Sequence, residues 1–127
     1  MAAAAKILVI DDDKTFTAMA VSLLRSAGYH TVVAFDAMQG FMFAQREAPD
    51  LIVLDLSMPA GGGMQLLDKL RQSHKTQSVP VVIVTGMPAR GLEADAKARG
   101  AAAFVIKPVD PKALVELMKQ MLEPGGA

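Results

Sequence analysis

Five short apolar runs, rich in β-branched residues, recur along the chain. None of them alternates with polar positions, and such continuous runs are typical of strands that are buried on both faces of a parallel sheet. The predicted strands are Ile7–Ile10, Val32–Phe35, Leu51–Leu54, Val81–Val84 and Ala102–Ile106.

Between these runs, apolar residues recur at the spacing of an amphipathic helix. Gly28 predicts the end of the first helix, Asp36 caps a second that runs to about Ala48, and Asp110 followed by Pro111 opens the fifth. The apolar stripes are Phe16, Met19, Ala20, Leu23 and Leu24 in the first helix, Leu66, Leu67 and Leu70 in the third, and Leu114, Leu117, Met118, Met121 and Leu122 in the fifth.

The fourth predicted helix, roughly Ala89 to Arg99, consists mostly of alanine and charged residues. Leu92 is its only large apolar side chain, and burial of an apolar face supplies most of the stability of a helix within a protein. We therefore expect this helix to be the most weakly packed of the five.

Strands that alternate with helices predict a doubly wound α/β fold, because parallel neighbours need crossovers that place helices on both faces of the sheet. We expect a five-stranded parallel sheet of order 2-1-3-4-5, the flavodoxin-like arrangement. In this order the direction of winding reverses between strands 1 and 3, and ligands gather there at the carboxyl ends of the strands. We expect one domain over residues 1–127, with an ordered core of roughly 5–123.

The composition narrows the classes of function. Thirteen basic side chains balance thirteen acidic ones, so no overall field attracts nucleic acid or an anionic membrane. The chain has no cysteine, which excludes a thiol nucleophile and thiolate metal sites. No apolar run is long enough to span a bilayer. We expect a cytoplasmic protein without nucleic-acid or membrane partners.

Polar residues follow four of the predicted strands and should meet at one edge of the sheet. They are Asp11, Asp12 and Asp13 after the first strand, Asp55 after the third, Thr85 and Gly86 after the fourth, and Lys107 and Pro108 after the fifth. Neighbouring strands lie about 4.8 Å apart, so the carboxylates after strands 1 and 3 converge. Carboxylates in one crevice repel one another unless a cation joins them, and Mg²⁺ suits such oxygen ligands.

With such an ion present, one carboxylate can attack phosphorus while the metal, an ammonium and a hydroxyl share the charge that builds on the phosphoryl oxygens. The pattern therefore predicts phosphoryl transfer onto an aspartate. On these grounds alone, Asp11, Asp12 and Asp55 all remain candidate acceptors.

Four segments resemble the signature blocks of the response-regulator receiver domains of bacterial two-component signalling, single-domain chemotaxis regulators among them. They are Lys6–Asp13, Pro49–Pro59, Val81–Gly86 and Phe104–Pro108, in family order and spacing. The resemblance implies that Asp55 is the phosphoacceptor and a ligand of Mg²⁺, together with Asp11, Asp12 and the backbone carbonyl of Ser57. It implies that Thr85 and Lys107 bind the phosphoryl group, and that the chain is a signalling phosphoacceptor and not an enzyme.

The same resemblance implies a switch and its partners. Phe104 stands at the family's aromatic switch position, so that Thr85 moves towards the phosphate and Phe104 turns inward. The donor is a histidine kinase or phosphotransfer protein that docks near the first helix. An unidentified downstream protein, or a second copy of the chain, contacts the face made by helix 4, strand 5 and helix 5. Met87 stands at a position that tunes phosphate loss, and its bulk favours slow hydrolysis.

Three alternatives stay open at this point. The stretch Asp11–Thr15 also resembles the nucleophile motif of haloacid-dehalogenase-like phosphatases, with Asp11 as nucleophile, although the acidic pair that such enzymes need is missing after Lys107. A flavin-binding protein of the same sheet order needs a phosphate-cradling loop, where three aspartates would instead repel phosphate. A receiver could also act as an interaction module without phosphorylation, but the intact set of acids, together with Thr85 and Lys107, argues against that function.

Several residues have a simpler interpretation. Asp13 is expected to cap the first helix instead of binding metal, since aspartate is strongly preferred there. The glycines of the stretch Pro59–Gly63 are expected to form a turn. Met38 and Met42, on one helical face, are expected to fill gaps in the core.

Overall fold

The computed structural model describes residues 4–58, 62–86 and 90–123. Over these ranges five strands alternate with five helices. The strands are β1 Lys6–Ile10, β2 His30–Ala34, β3 Leu51–Leu54, β4 Val81–Thr85 and β5 Ala103–Ile106. The helices are α1 Lys14–Ser26, α2 Ala37–Glu47, α3 Gly62–Gln72, α4 Leu92–Ala98 and α5 Pro111–Leu122.

The five strands form one parallel sheet of order β2-β1-β3-β4-β5. This confirms the predicted doubly wound α/β fold. Ile10, the last residue of β1, pairs with Leu54, the last residue of β3. Because these neighbouring strands end at the same level, the residues that follow them are brought side by side.

Helices cover both faces of the sheet and create two apolar layers. Ile7 and Val9 point into the layer beneath α1 and α5, whereas Leu8 and Ile10 point into the layer beneath α2, α3 and α4. All residues of β3 and β4 are buried. The continuous apolar runs read from the sequence are therefore explained by burial on both faces.

The ends of the edge strand β2 differ from the prediction. The strand begins at His30 and ends at Ala34, so Phe35 lies outside it and is 40% exposed. An edge strand has a neighbour on one side only and is partly exposed, so hydrophobicity defines its ends poorly. Its bounds follow instead from backbone pairing with β1, beginning with the His30 N–H, which donates to the Ala5 carbonyl at 2.9 Å.

The predicted helix caps are confirmed. The Asp13 carboxylate accepts hydrogen bonds from the backbone N–H groups of Thr15 and Phe16 at the start of α1. Asp36 and Asp110 cap α2 and α5 in the same way. Each cap satisfies a backbone donor that the first helical turn leaves unpaired.

Helix α4 has little apolar contact with the rest of the molecule, as predicted. Of its residues Leu92–Ala98, Ala96 is buried and Leu92 is half-buried, while the others are exposed. Gly91 precedes the helix and offers no side-chain cap. An exposed ion pair between Arg99 and Asp68, 2.9 Å long, connects its end to α3. The predicted start at Ala89 lies outside the described residues.

The prediction that Met38 and Met42 fill the core is wrong, because their side chains are 82% and 49% exposed. Gly40 and Ala44 form the buried face of α2, and a Cβ at Gly40 would lie only 2.8 Å from Ile10 Cδ1. Small residues thus let α2 pack closely on β1, and this close packing turns the two methionines towards solvent.

The glycine stretch also differs from the prediction, because Gly62 and Gly63 belong to α3 and not to a turn. A Cβ at Gly63 would lie 2.7 Å from Leu56 Cα and 2.9 Å from the carbonyl oxygen of Asp55. The glycine therefore allows α3 to pack directly against the backbone that carries Asp55. Residues 59–61 lie outside the described ranges.

Candidate functional site

Two buried aspartates lie next to each other at the carboxyl end of the sheet. Asp11 follows β1 and is 1% exposed, and Asp55 follows β3 and is 2% exposed. The Asp55 N–H donates to the Ile10 carbonyl at 3.0 Å, which continues the ladder between the two strands and fixes the two side chains relative to each other.

Asp12 completes an acidic cluster with this pair. Carboxylate oxygens of Asp11, Asp12 and Asp55, one from each residue, all lie within 4.8 Å of one another, and Asp12 is exposed. Clustered carboxylate oxygens, with an open side, are the donors that a small divalent cation such as Mg²⁺ accepts. The cluster therefore fits the predicted metal, whose charge would offset the mutual repulsion of the three acids.

Lys107 brings a positive charge to the same edge from β5. Its Nζ lies 2.7 Å from Asp11 Oδ2 and 3.8 Å from Asp55 Oδ2. Its backbone N–H donates to the Thr85 carbonyl at 2.9 Å, and the Lys107–Pro108 peptide bond is cis. The ammonium is thus hydrogen-bonded to one aspartate and close to the other.

The pKa of Asp11 is raised to about 6, mainly by burial and in smaller part by the negative charge of Asp55. The hydrogen bond from Lys107 and the one from the Asp13 N–H, 2.9 Å long, oppose this increase without cancelling it. Asp11 is therefore an acid whose charge is costly in the absence of a second cation.

The pKa of Asp55 is shifted in the opposite direction. Burial raises its pKa, but hydrogen bonds from Ser57 and Thr85 and the charge of Lys107 outweigh burial and leave the pKa below its ordinary value. The Ser57 hydroxyl lies 2.7 Å from Asp55 Oδ1 and 2.9 Å from Oδ2, and the Ser57 N–H donates to Oδ1 at 3.0 Å. Asp55 is the aspartate whose ionised form the protein stabilises.

The structure brings most of the predicted site residues together. Thr85, at the end of β4, is fully buried and hydrogen-bonded with Asp55. Phe104 lies in β5 opposite Ile83 and is half-buried against the layer beneath α2, α3 and α4, so its switch role stays a prediction. Met87 lies outside the described residues.

Two interactions at the site were not predicted from the sequence. The predicted role of Ser57 concerned its carbonyl, whereas its hydroxyl and N–H bind the Asp55 carboxylate. A serine two residues after an aspartate in a turn is a local signal for such bonds. The other is Phe16, whose ring centroid lies 4.3 Å from Lys107 Nζ. Phe16 and Lys107 are far apart in sequence, so only the fold reveals that contact.

Comparison with known proteins agrees with this geometry. The family model of the response regulator receiver domain matches residues 7–119. The chain is 30% identical to the protein PilH of Pseudomonas aeruginosa over 118 residues, which are 93% of this chain and 98% of PilH. It is 34% identical to the phosphate regulon regulator PhoB of Escherichia coli over 122 residues, which cover 94% of this chain and 52% of PhoB.

Solved structures show the same fold. A CheY-like receiver domain protein from Methanospirillum hungatei superposes with a TM-score of 0.88 at 28% identity, over 94% of both chains. The chemotaxis protein CheY4 of Vibrio cholerae gives a TM-score of 0.88 at 28% identity, over 94% of this chain and 100% of that one. The chain belongs to the response regulator receiver domain family of two-component signalling.

Proposed function

We propose that this receiver domain accepts a phosphoryl group on Asp55 from a histidine kinase or a histidine phosphotransfer protein. Receiver domains of this family work as phosphoacceptors between histidine kinases and downstream effectors. The observation that carries the proposal is the arrangement of Asp11, Asp12 and Asp55 within 4.8 Å of one another, with the Lys107 ammonium beside two of them.

Asp11, Asp12, Asp55 and the backbone carbonyl of Ser57 would hold Mg²⁺, which supplies charge neutralisation for the incoming phosphoryl oxygens. An Asp55 oxygen forms a bond to phosphorus, while the bond from phosphorus to the donor imidazole nitrogen breaks and leaves its electron pair on that nitrogen. The Lys107 ammonium and the Thr85 hydroxyl stabilise the negative charge on the phosphoryl oxygens.

The surroundings of Asp55 suit the acceptor better than those of Asp11 do. Hydrogen bonds from Ser57 and Thr85 keep the pKa of Asp55 below its ordinary value, whereas burial raises that of Asp11 to about 6, so the charge of Asp11 depends more on a neighbouring cation. Lys107 donates a hydrogen bond to Asp11 at 2.7 Å but stays 3.8 Å from Asp55. This favours Asp55 as acceptor and Asp11 as the residue that binds cations.

Phosphorylation would be read out through α4, β5 and α5. An added phosphoryl charge shifts an element only if that element is lightly held, and α4 buries only Ala96 fully among its residues. Thr85, fully buried beside Asp55, and Phe104, half-buried in the neighbouring strand, are the residues whose movement would connect the phosphate to this face.

The test is to incubate the protein with Mg²⁺ and acetyl phosphate and to locate the acyl phosphate by borohydride reduction and mass spectrometry. We expect labelling at Asp55, none in Asp55→Asn, and slower labelling in Asp11→Asn. Asp50→Asn is the matched control, because Asp50 precedes β3 at the opposite edge of the sheet from the acidic cluster, and an asparagine there can still accept the hydrogen bond from the Lys6 N–H.

Other results would point to the alternative functions. Labelling at Asp11 with continuous release of phosphate would indicate a phosphatase of the haloacid-dehalogenase type. Absence of labelling, also with a phosphohistidine donor, would indicate a receiver that acts only by protein contact.

A further inference from the structure

Lys107 has a second neighbour besides the acids, the aromatic ring of Phe16. The ring centroid lies 4.3 Å from Lys107 Nζ, within the range of a cation–π contact. Phe16 is 7% exposed, and its backbone N–H donates to the Asp13 cap at 3.2 Å. The ring is therefore held by the first turn of α1, which directly follows the acidic stretch.

The contact restrains a side chain that otherwise has much freedom. A lysine has four rotatable bonds, and fixing them costs conformational entropy. Asp11 binds the ammonium from one side at 2.7 Å, and the negative face of a phenylalanine ring attracts a cation. Since the Lys107 side chain is only 18% exposed, water screens this attraction weakly.

The position that the ring favours is also the position that phosphoryl transfer needs. While in contact with Phe16, Lys107 Nζ already lies 3.8 Å from Asp55 Oδ2. An aliphatic residue of similar volume at position 16 would still fill space between α1 and the sheet. It would cover the ammonium without attracting it, however, so that Lys107 would populate other rotamers.

We propose that Phe16 is a positioning residue for phosphoryl transfer, whose ring face holds the Lys107 ammonium next to Asp11 and Asp55. The inference rests on the proposed function, because it assumes that Lys107 acts on the phosphoryl group bound to Asp55. It adds a residue whose effect comes from the electrostatics of its ring and not only from its volume.

The ring electrostatics can be changed with little change of shape. Mono-, di- and trifluorinated phenylalanine at position 16 weaken the ring's attraction for a cation stepwise. We expect the rate constant of Asp55 phosphorylation by acetyl phosphate, at saturating Mg²⁺, to fall with each fluorine and by roughly 2- to 30-fold over the series. Phe16→Tyr should keep most of the rate and Phe16→Leu should lose as much as the trifluorinated protein.

Phe43 provides a matched control. Its ring also lies beneath a cation, with the Arg46 guanidinium carbon 4.7 Å from the ring centroid, but it belongs to α2 and packs in the other apolar layer. The same fluorinated series at Phe43 should leave the phosphorylation rate unchanged. Urea unfolding of each variant shows whether the change of rate is separate from a change of stability.

An NMR measurement tests the contact without any phosphoryl donor. In the metal-free protein, the ε-methylene protons of Lys107 should be shifted upfield by the Phe16 ring, and this shift should vanish in Phe16→Leu. Absence of the upfield shift, or a rate that is the same across the fluorinated series while Asp55 is labelled, overturns the positioning role alone. Failure of the unmodified protein to label at Asp55 overturns the proposed function, and the positioning role with it.

Discussion

At the scale of single residues, Asp11 and Asp55 show how two equal side chains at one sheet edge acquire different properties. Both are buried, so desolvation raises the pKa of each. Asp55 is surrounded by hydrogen-bond donors from Ser57 and Thr85, which reverse that effect, whereas Asp11 depends mainly on Lys107 and one backbone N–H. The number of hydrogen-bond donors around each carboxylate therefore makes the difference. Asp55 is readily ionised, whereas the charge of Asp11 depends on neighbouring cations.

The Ser57 hydroxyl should contribute measurably to stability through the Asp55 charge. A hydrogen bond to a charged acceptor contributes about 1.5–3 kcal/mol, so we expect Ser57→Ala to lower the free energy of unfolding by roughly this amount at neutral pH in EDTA. Because the pKa of Asp55 is lowered in the folded protein, its charge stabilises the fold above its ordinary pKa of about 4. This contribution is lost as the pH falls through the folded-state pKa.

Urea unfolding of both proteins between neutral pH and the acidic limit of the folded state tests this expectation. The difference between wild type and Ser57→Ala should shrink as the pH falls below about 4. In an Asp55→Asn background the serine substitution should cost much less, since the acceptor is then neutral. A loss independent of pH, or equal in both backgrounds, would refute the assigned bond.

At the scale of elements, α4 and α5 differ in how firmly they are attached. Helix α5 buries Leu114 and Met118, and its partly buried residues Leu117, Met121 and Leu122 pack on the same layer. In α4, Ala96 is the one fully buried residue. Local stability follows buried apolar contact, so α4 should open more readily than α5.

Amide hydrogen exchange measures this difference directly. We expect the amides of α4 to exchange at least tenfold faster than those in the middle of α5, and the exchange of α4 to change when a beryllofluoride mimic of the phosphoryl group binds. The ion pair of Arg99 with Asp68 is exposed and should contribute at most about 1 kcal/mol. The variant Asp68→Asn should therefore speed exchange in α4 only slightly. Equal protection of the two helices, unchanged by the mimic, would exclude α4 as the lightly held element.

Elements were predictable from the sequence to different degrees. The central strands β3 and β4 are buried on both faces, so their apolar runs identify them, and the capping aspartates Asp13, Asp36 and Asp110 identify the starts of α1, α2 and α5. The outward turn of Met38 was not predictable, because it depends on how closely α2 approaches β1 at Gly40. At the site, strand ends predicted which charges meet, but the Phe16 contact with Lys107 joins α1 to β5 and appears only in the folded chain.

At the scale of the whole molecule, repulsion within the acidic cluster lowers the free energy of unfolding that the two apolar layers provide. The sheet brings three carboxylates together, and one ammonium is bonded to the cluster. Their repulsion is present only in the folded protein, because the unfolded chain lets the carboxylates separate. A bound divalent ion should remove this penalty, so metal binding and global stability are linked.

Asp12 allows this linkage to be tested, because it is exposed and lies at the open side of the cluster. In EDTA, Asp12→Asn should raise the free energy of unfolding by roughly 1 kcal/mol, since it removes one repelling charge near the surface.

The free energy of unfolding of wild type should rise by about 2.7 kcal/mol at a Mg²⁺ concentration 100-fold above its dissociation constant. The variant should gain less at the same concentration, because it has lost a ligand. Asp50→Asn removes the same charge at the opposite edge of the sheet, where Asp50 precedes β3 and accepts a hydrogen bond from the Lys6 N–H, and should respond to Mg²⁺ as wild type does. If all three proteins were stabilised equally by Mg²⁺ at constant ionic strength, the ion would be acting on general surface charge, and the cluster would not be its binding site.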